Sequence, residues 1–301
     1  MAEAGSPLAE PLSRSGSAPA EVPRAFVTGW PIAHSRSPLI HGSWLQDLGL
    51  AGSYKRVAVA PEDFADFLIS LKDGAWVGGN VTIPHKETAF ALVERRDGAA
   101  EAIGAVNTLW FERGQLVGSN TDAYGFAANL DARLFGWRDA GTALVLGAGG
   151  AARAVVEALR GAGIAEIAVL NRTKARAEAI AGAFEGRGVR ITAHGEDEAA
   201  RLLARTDLLV NTRPSAKAGG AASDLALSLD GLAAGSLVTD IVYVPLETPI
   251  LSEARARGHR TADGLGMLLH QAVPGFERWF GRRPTVDEAL RQRILDDIAA
   301  G

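Results

Sequence analysis

Short apolar runs alternate with segments of helical periodicity along most of the chain. Several of the runs are rich in Val, Ile and Leu and end at glycine or polar residues, which predicts buried β-strands. The predicted strands cover residues 25–29, 54–59, 76–83, 105–110, 115–119, 142–146, 166–170, 190–193, 208–211 and 237–242. The runs 105–110 and 115–119 are separated by a turn at 112–114 and predict a hairpin.

Helical periodicity follows most of these strands. The predicted helices cover residues 38–48, 61–71, 85–93, 174–184, 267–279 and 286–299. One further helix begins near residue 151, and another ends near residue 203. Thr248 as N-cap, Pro249 and Gly258 delimit one more helix, and a Thr285-x-x-Glu288 capping box opens the last one. The alternation of strands and helices predicts an α/β protein with largely parallel sheets.

A glycine turn lies between the strand at 142–146 and the helix that follows it. Its residues are Gly147, Ala148, Gly149, Gly150 and Ala151. Glycine allows a sharp turn and a close approach of the backbone to a pyrophosphate, which then lies at the helix N-terminus. A tight strand-to-helix loop is the alternative, but the apolar strand before it and the second strand at 166–170 favour a dinucleotide-binding βαβ unit.

Asn171, Arg172 and Thr173 follow the second strand of this unit. An NAD-selective enzyme usually carries Asp or Glu there, to bind the ribose 2′-hydroxyl. A cation at this position suits a 2′-phosphate, so the pattern favours NADP over NAD. A solvated Arg172 and a helix-capping Thr173 remain open alternatives.

Composition narrows the class of protein. The 301 residues suggest two domains, and the 31 basic and 35 acidic residues give a net charge of −4 without a basic block. This charge pattern argues against a nucleic-acid or anionic-membrane partner, and no apolar run is long enough to span a bilayer. The absence of cysteine fits a reducing cytoplasm. Residues 1–23 are rich in Ala, Pro, Ser and Gly and predict a disordered leader.

Four polar segments lie at predicted strand ends or in loops, where α/β proteins bind ligands. They cover residues 34–38, 80–86, 105–108 and 119–122. Each alone could be turn or capping chemistry. Lys86, however, lies in a first helical turn, where a cation is mildly unfavourable, which points to another reason for its presence. A lysine beside an aspartate can move the proton of an alcohol during its oxidation.

These segments resemble the shikimate dehydrogenases, which are NADP-dependent enzymes that interconvert 3-dehydroshikimate and shikimate. The resemblance spans about residues 24–299 and includes matches in order at residues 29–38, 80–86, 105–108, 120–122, 147–150, 171–173, 240–245 and 263–271. It implies that Lys86 and Asp122 form a catalytic pair. It also implies a place in aromatic amino-acid (chorismate) biosynthesis.

The resemblance further assigns binding residues. Ser35 and Ser37, with Tyr243, would bind the substrate carboxylate, and the ring hydroxyls would meet Thr82, Asn107 and Gln271. Gly264 and Met267 would lie against the nicotinamide, and residues 171–173 would contact the 2′-phosphate.

The resemblance also implies how the domains are built. Residues 24–124 and 265–301 would form the substrate-binding catalytic domain, and residues 125–264 an inserted Rossmann NADP-binding domain. The C-terminal helices would thus complete the first domain, and the cleft between the two could open and close.

Two segments depart from the family pattern. Ala123 stands where a glycine usually follows Asp122, which we expect to alter the loop there. The loop 211–217 carries Arg213 and Lys217, which would either reinforce NADP binding or be solvated.

The six histidines are scattered and predict no metal site. We expect His85 to lie on a helix surface, with a hydrogen bond within the site as the alternative. We expect the protein to bind small-molecule ligands only, and to be a monomer or a homodimer. Two other functions stay open: a relative that acts on quinate or an aminated analogue, and a non-catalytic sensor that would be expected to lack Lys86 or Asp122.

Overall fold

A computed structural model describes residues 22–214 and 228–300. Two six-stranded sheets organise this part of the chain. The predicted leader lies outside the described residues except for Val22 and Pro23, and Lys217 of the atypical loop also lies outside them.

The first sheet has the strand order β2-β1-β3-β5-β6-β4. Its strands are β1 (Arg24–Gly29), β2 (Ser53–Ala58), β3 (Gly78–Val81), β4 (Arg95–Arg96), β5 (Thr108–Glu112) and β6 (Gln115–Ser119). Strands β2, β1 and β3 are parallel, whereas β5 is antiparallel to both β3 and β6. The predicted hairpin joins β5 to β6. The sheet is therefore mixed rather than largely parallel.

Five helices accompany or follow this sheet. They are α1 (Ser37–Asp47), α2 (Phe64–Ser70), α3 (Lys86–Leu92), α4 (Gly98–Ile103) and α5 (Asp122–Arg133). The predicted helix at 61–71 is α2 with a short 3₁₀ turn at each end. The sequence pattern did not predict α4 or α5.

The second sheet is entirely parallel, with the strand order β12-β11-β10-β7-β8-β9. Its elements are β7 (Thr142–Leu146), α6 (Gly150–Gly161), β8 (Glu166–Leu170), α7 (Lys174–Ala183), β9 (Arg190–His194), α8 (Ala199–Leu203), β10 (Leu208–Asn211), β11 (Leu237–Asp240), α9 (Pro249–Ala256) and β12 (Arg260–Ala262). This order is the doubly wound arrangement of dinucleotide-binding domains, which confirms the predicted Rossmann class.

Three helices end the chain: α10 (Leu265–His270), α11 (Ala272–Phe280) and α12 (Glu288–Ala300). The predicted helix 267–279 is thus two helices, interrupted at Gln271, three residues before Pro274, whose ring nitrogen cannot donate to the His270 carbonyl. The prediction of a capping box at Thr285 is wrong, because α12 begins at Glu288 and the Asp287 carboxylate accepts from the Leu290 amide at 2.8 Å.

The C-terminal helices pack against the first part of the chain. Ile40 and Trp44 of α1 share a buried cluster with Leu265, Phe276 and Ile294. This packing agrees with a first domain completed by the C-terminus. The exact domain boundaries at 24–124, 125–264 and 265–301 stay a prediction.

Candidate active site

A cavity of about 400 Å³ lies where the end of β3, the starts of α3 and α5, and helix α10 meet. All eight residues predicted for catalysis or substrate binding line it: Lys86, Asp122, Ser35, Ser37, Thr82, Asn107, Tyr243 and Gln271. Three of the predicted cofactor residues, Ala151, Gly264 and Met267, line it as well. The structure therefore brings residues from distant parts of the chain to one site.

Lys86 and Asp122 are in direct contact. The Lys86 ammonium donates to the Asp122 carboxylate, with Nζ 2.6 Å from Oδ2, and both side chains are mostly buried. Lys86 is the first residue of α3, and Asp122 is the first of α5. The ammonium and the carboxylate form an acid–base pair at the cavity wall, as an alcohol dehydrogenase needs.

Asn107 fixes the other oxygen of this carboxylate. Its amide Nδ2 donates to Asp122 Oδ1 at 2.8 Å, and its Oδ1 accepts from the backbone amide of Thr121 at 2.9 Å. The side chain is itself buried. With both carboxylate oxygens bound by donors, the orientation of Asp122 is set by the start of α3 and by the residue that precedes β5.

Asn80 is a lining residue that sequence reasoning quoted in a motif but did not assign to the site. Its Nδ2 donates to the Asn107 carbonyl at 3.0 Å, and its Oδ1 accepts from the Tyr54 hydroxyl at 2.5 Å. Its place at the end of β3, among other polar side chains, was the signal that could have identified it. His34, Arg36, Ile241 and Leu268 also line the cavity and were not predicted to do so.

The two serines lie at the N-terminus of α1. Ser37 is the first residue of this eleven-residue helix and is buried, and its backbone amide lies 3.4 Å from Ser35 Oγ. Free amides and the positive end of the helix macrodipole favour an anion at such a position. Hydroxyl groups at this helix end can therefore bind a carboxylate.

Tyr243 and Gly264 approach the cavity from the second sheet. Buried Asp240, at the end of β11, accepts from the Val242 amide and from Asn211 Nδ2, both at 2.9 Å, which fixes the loop that carries Tyr243. Burial raises the pKa of Asp240, and these hydrogen bonds partly offset the rise. A Cβ on Gly264 would lie 2.2 Å from the Ile241 carbonyl oxygen, so only glycine fits there.

The glycine turn has the geometry that a dinucleotide needs. Gly147 has a φ of +104°, and a Cβ there would lie 2.7 Å from Thr212 Oγ1. A Cβ on Gly149 or Gly150 would point into open space at the N-terminus of α6. Ala152 is fully buried against the sheet, where the usual third glycine permits close packing. The turn thus fits a pyrophosphate at the helix end.

The predicted 2′-phosphate site follows β8 and lies outside the cavity lining. Arg172 and Thr173 are exposed, and the Asn171 amide donates to the Thr173 carbonyl at 2.9 Å. Thr173 occupies the N-cap position of α7, but its side chain makes no capping bond. Within residues 22–214 and 228–300, Arg172 forms no ion pair, which leaves its charge available to a phosphate.

Two expectations about neighbouring residues are wrong. His85 is not on the surface: it is buried, its Nε2 lies 2.8 Å from the Val59 carbonyl oxygen, and its ring stacks on Phe64. Ala123 lies inside α5 rather than in a loop, and alanine favours a helix more than glycine does. In the part of the chain that the structure describes, no three His, Asp or Glu side chains cluster as metal ligands would, and the absence of a metal stays a prediction.

A mixed α/β unit, a Rossmann unit and a lysine–aspartate pair between them define a nucleotide-dependent dehydrogenase of small molecules. Family models agree, matching a shikimate dehydrogenase substrate binding domain at residues 27–109, shikimate / quinate 5-dehydrogenase at 130–225 and a shikimate 5′-dehydrogenase C-terminal domain at 264–292. The chain belongs to the shikimate dehydrogenase family.

Relatives and solved structures are similar to this chain over most of their length. A shikimate dehydrogenase (NADP(+)) of Brucella melitensis is 58% identical over 92% of this chain and 95% of its own. The Thermus thermophilus shikimate 5-dehydrogenase, solved with NADP(H) and shikimate, is 37% identical with a TM-score of 0.78, covering 92% and 99%. The Corynebacterium glutamicum quinate dehydrogenase, solved with NAD, is 28% identical with a TM-score of 0.81, covering 91% and 99%.

Proposed function

We propose that this protein is an NADP-dependent shikimate dehydrogenase that catalyses reversible hydride transfer between NADPH and 3-dehydroshikimate, within aromatic amino-acid biosynthesis. The observation that carries the proposal is the 2.6 Å contact between Lys86 and Asp122, in a cavity that Gly264 and Met267 also line. The similarity to enzymes named for this activity supports it.

The bound nicotinamide supplies or accepts the hydride at the reacting carbon. In the reductive direction the Lys86 ammonium donates a proton to the carbonyl oxygen, which becomes the hydroxyl of shikimate. In the oxidative direction the neutral amine takes that proton back. Asp122 orients the amine and stabilises its charged form, and Asn107 keeps the carboxylate in place.

The remaining polar residues hold the substrate. Ser35 and Ser37 donate to its carboxylate at the start of α1, and Tyr243 assists from the opposite wall. Thr82, Asn107 and Gln271 bind ring hydroxyls. A substrate without these hydroxyls would leave buried groups unpaired, at a cost of about 1–3 kcal/mol each, which gives the site its selectivity.

The cofactor lies along the second sheet in this proposal. Residues 147–151 bind its pyrophosphate, and Asn171, Arg172 and Thr173 bind the 2′-phosphate. Gly264 and Met267 contact the nicotinamide. The open space beside Gly149 and Gly150 and the exposed Arg172 support this arrangement.

The direct test is to incubate the purified full chain with shikimate and NADP⁺ at mildly alkaline pH and to follow reduced-cofactor absorbance. We expect turnover, with NADP⁺ preferred to NAD⁺. No turnover with either cofactor would refute the activity.

Quinate is the second candidate substrate, because the quinate dehydrogenase of Corynebacterium glutamicum shares the fold. It and an aminated analogue each differ from shikimate by a single substituent. Comparing kcat/KM for the three compounds distinguishes them, and we expect the highest value for shikimate.

The cytoplasmic location and the monomeric or homodimeric state belong to this proposal too. The absence of cysteine supports the first. No helix in the described ranges is long and apolar enough to cross a bilayer. Light scattering coupled to size-exclusion chromatography measures the assembly directly.

A further inference from the structure

Arg213 lies two residues after β10, at the carboxyl edge of the second sheet. Its side chain is only 12% exposed, so of the two alternatives left open for Arg213, simple solvation does not hold. A Cβ on Gly147 would lie 3.3 Å from Arg213 Cγ, which means that the aliphatic stem passes beside the glycine turn. A dinucleotide lies along this same edge of a Rossmann sheet.

The direction of the side chain follows from the strand order. Arg213 Nη2 lies 3.6 Å from an oxygen of Glu196, and Glu196 follows β9 at the far side of β8. The side chain starts at β10 and therefore extends across β7 towards the β8–β9 side. Arg172 follows β8 on that side, whereas Gly264 and Met267 lie on the opposite side of the glycine turn.

The guanidinium is incompletely paired in this position. Its distance of 3.6 Å from Glu196 is too long for a hydrogen bond, and buried Nη2 has no hydrogen-bond partner among residues 22–214 and 228–300. Burial lowers the pKa of Arg213, and Glu196 partly offsets this effect. A buried cation is stable only when an anion binds it, and one carboxylate at this distance does so weakly.

We propose that Arg213 is a further cofactor-binding residue whose guanidinium binds the 2′-phosphate of NADP together with Arg172, and that Glu196 holds the side chain near this position. The proposal rests on the proposed function, since it needs NADP as the ligand. Glu196 and the phosphate compete for the same cation.

The test measures binding rather than turnover. NADP⁺ and NAD⁺ are titrated calorimetrically into the full chain and into Arg213→Met, which removes the guanidinium but keeps a stem that can pack on Gly147. A phosphate bond to a charged donor predicts a Kd for NADP⁺ that is about 10- to 100-fold higher, with a change below about threefold for NAD⁺.

The matched control is Arg205→Met. Arg205 lies at the opposite edge of the same sheet and also has its Nη2 3.6 Å from a carboxylate oxygen, that of Glu166. We expect its cofactor affinities to be unchanged. Equal losses of NADP⁺ and NAD⁺ affinity in Arg213→Met would place the guanidinium at the pyrophosphate and overturn the assignment.

Glu196→Gln provides the second variant. Removing the competing carboxylate should lower the Kd for NADP⁺ several-fold and leave that for NAD⁺ nearly unchanged. A loss of NADP⁺ affinity comparable to that of Arg213→Met would contradict the competition between Glu196 and the phosphate and overturn the role assigned to Glu196. Failure of the unmodified chain to bind NADP⁺ would instead refute the proposed function.

Discussion

Lys86 and Asp122 each begin a helix, and the two helix macrodipoles act on them in opposite directions. A carboxylate is stabilised at a helix N-terminus, whereas an ammonium is destabilised there by about 0.3–1 kcal/mol. The start of α3 is therefore a poor place for a lysine on grounds of helix stability alone. Contact with the Asp122 carboxylate offsets this cost. Lys86 therefore acts in the cavity rather than in stabilising the helix.

We expect Lys86→Ala to lower kcat by about 10²–10⁴-fold while weakening substrate binding much less, because proton transfer matters mainly in the transition state. Steady-state kinetics with shikimate measure both quantities. Lys72→Ala is the control, since Lys72 also donates to a carboxylate, that of Glu94 at 3.0 Å, on the exposed surface. Intact turnover in Lys86→Ala would exclude its catalytic role.

His41 is a fully buried imidazole beneath the cavity. Its ring stacks on Tyr54 at 3.9 Å, and Tyr54 in turn donates to Asn80 in the cavity wall. Burial lowers the pKa of His41 from 6.5 to about 3, and the Asn80 side chain offsets part of this effect. The folded protein therefore keeps His41 neutral at pH values where the unfolded chain protonates it.

The contribution of His41 to stability is present in full above pH 6.5 and is lost as the pH falls from 6.5 towards 3. Between about pH 6.5 and about pH 5 the loss should approach roughly 2 kcal/mol. Urea unfolding of the unmodified chain and of His41→Phe across this range isolates the effect, because other groups titrate alike in both. Parallel pH profiles for the two proteins would contradict it.

At the scale of elements, the start of α12 shows how tertiary contacts choose between two local signals. Thr285 and Glu288 match a capping box, yet the Thr285 carbonyl accepts from the Trp44 indole at 3.0 Å. The helix begins three residues later than this signal predicts, and the Asp287 carboxylate binds the Leu290 amide.

Asp287→Ala should therefore lower the free energy of unfolding by about 1 kcal/mol, since it removes the cap. Thr285→Ala should change it by less than about 0.5 kcal/mol, because the backbone carbonyl that binds Trp44 remains. Chemical unfolding of both variants makes the comparison. A larger loss of unfolding free energy for Thr285→Ala than for Asp287→Ala would mean that Thr285, and not Asp287, caps the helix.

The sequence pattern predicted best the elements that are buried on both faces. Strands β8 and β10 have the bounds expected, because a central parallel strand is a continuous apolar run between polar ends. Helix α5 was missed because Gly125, Asn129 and Asp131 interrupt its apolar face, although Gly125 and Asn129 are buried against α10. His85 was misplaced for a different reason, since its partners, Val59 after β2 and Phe64 of α2, come from distant positions in the chain.

At the scale of the molecule, strand order creates the site. Asn80 pairs with Thr108, and Thr108 with Ser119, so β3, β5 and β6 bring their polar ends side by side. Lys86 and Asp122 then meet although 36 positions separate them. Periodicity gives the strands but not their order, so their proximity could be expected only from the family resemblance. The placement of Arg213 across the sheet could not be expected even from that.

A buried ion pair joins the last helix to the point where the chain leaves the second sheet. Arg291 of α12 donates to Asp263 at 2.7 Å, and Asp263 also accepts from the Leu265 amide, which begins α10. The Asp263 carbonyl accepts from Asn129 of α5 at 2.7 Å. Helices α5, α10 and α12 thus meet beside Gly264 at the cavity.

Arg291→Met should lower the free energy of unfolding by about 3–5 kcal/mol, since it leaves the mostly buried Asp263 carboxylate without its cation. Arg293→Met is the matched control on the same helix, because Arg293 pairs with Asp47 at 2.8 Å on the exposed surface. That pair is exposed to solvent and should contribute much less to the free energy of unfolding. Equal losses of unfolding free energy in the two variants would mean that burial does not make the Arg291 pair more stabilising than the exposed one.

The packing of α1 against α10, α11 and α12 also has a consequence during synthesis. Ile40 and Trp44 leave the ribosome long before Phe276 and Ile294, which cover them in the folded protein. At about 5–20 residues per second, this apolar helix face waits on the order of ten seconds or more for its cover. The second sheet, whose strands are contiguous in the chain, can fold in that interval. A nascent chain would therefore carry a finished nucleotide-binding unit and an exposed, chaperone-accessible helix at the same time.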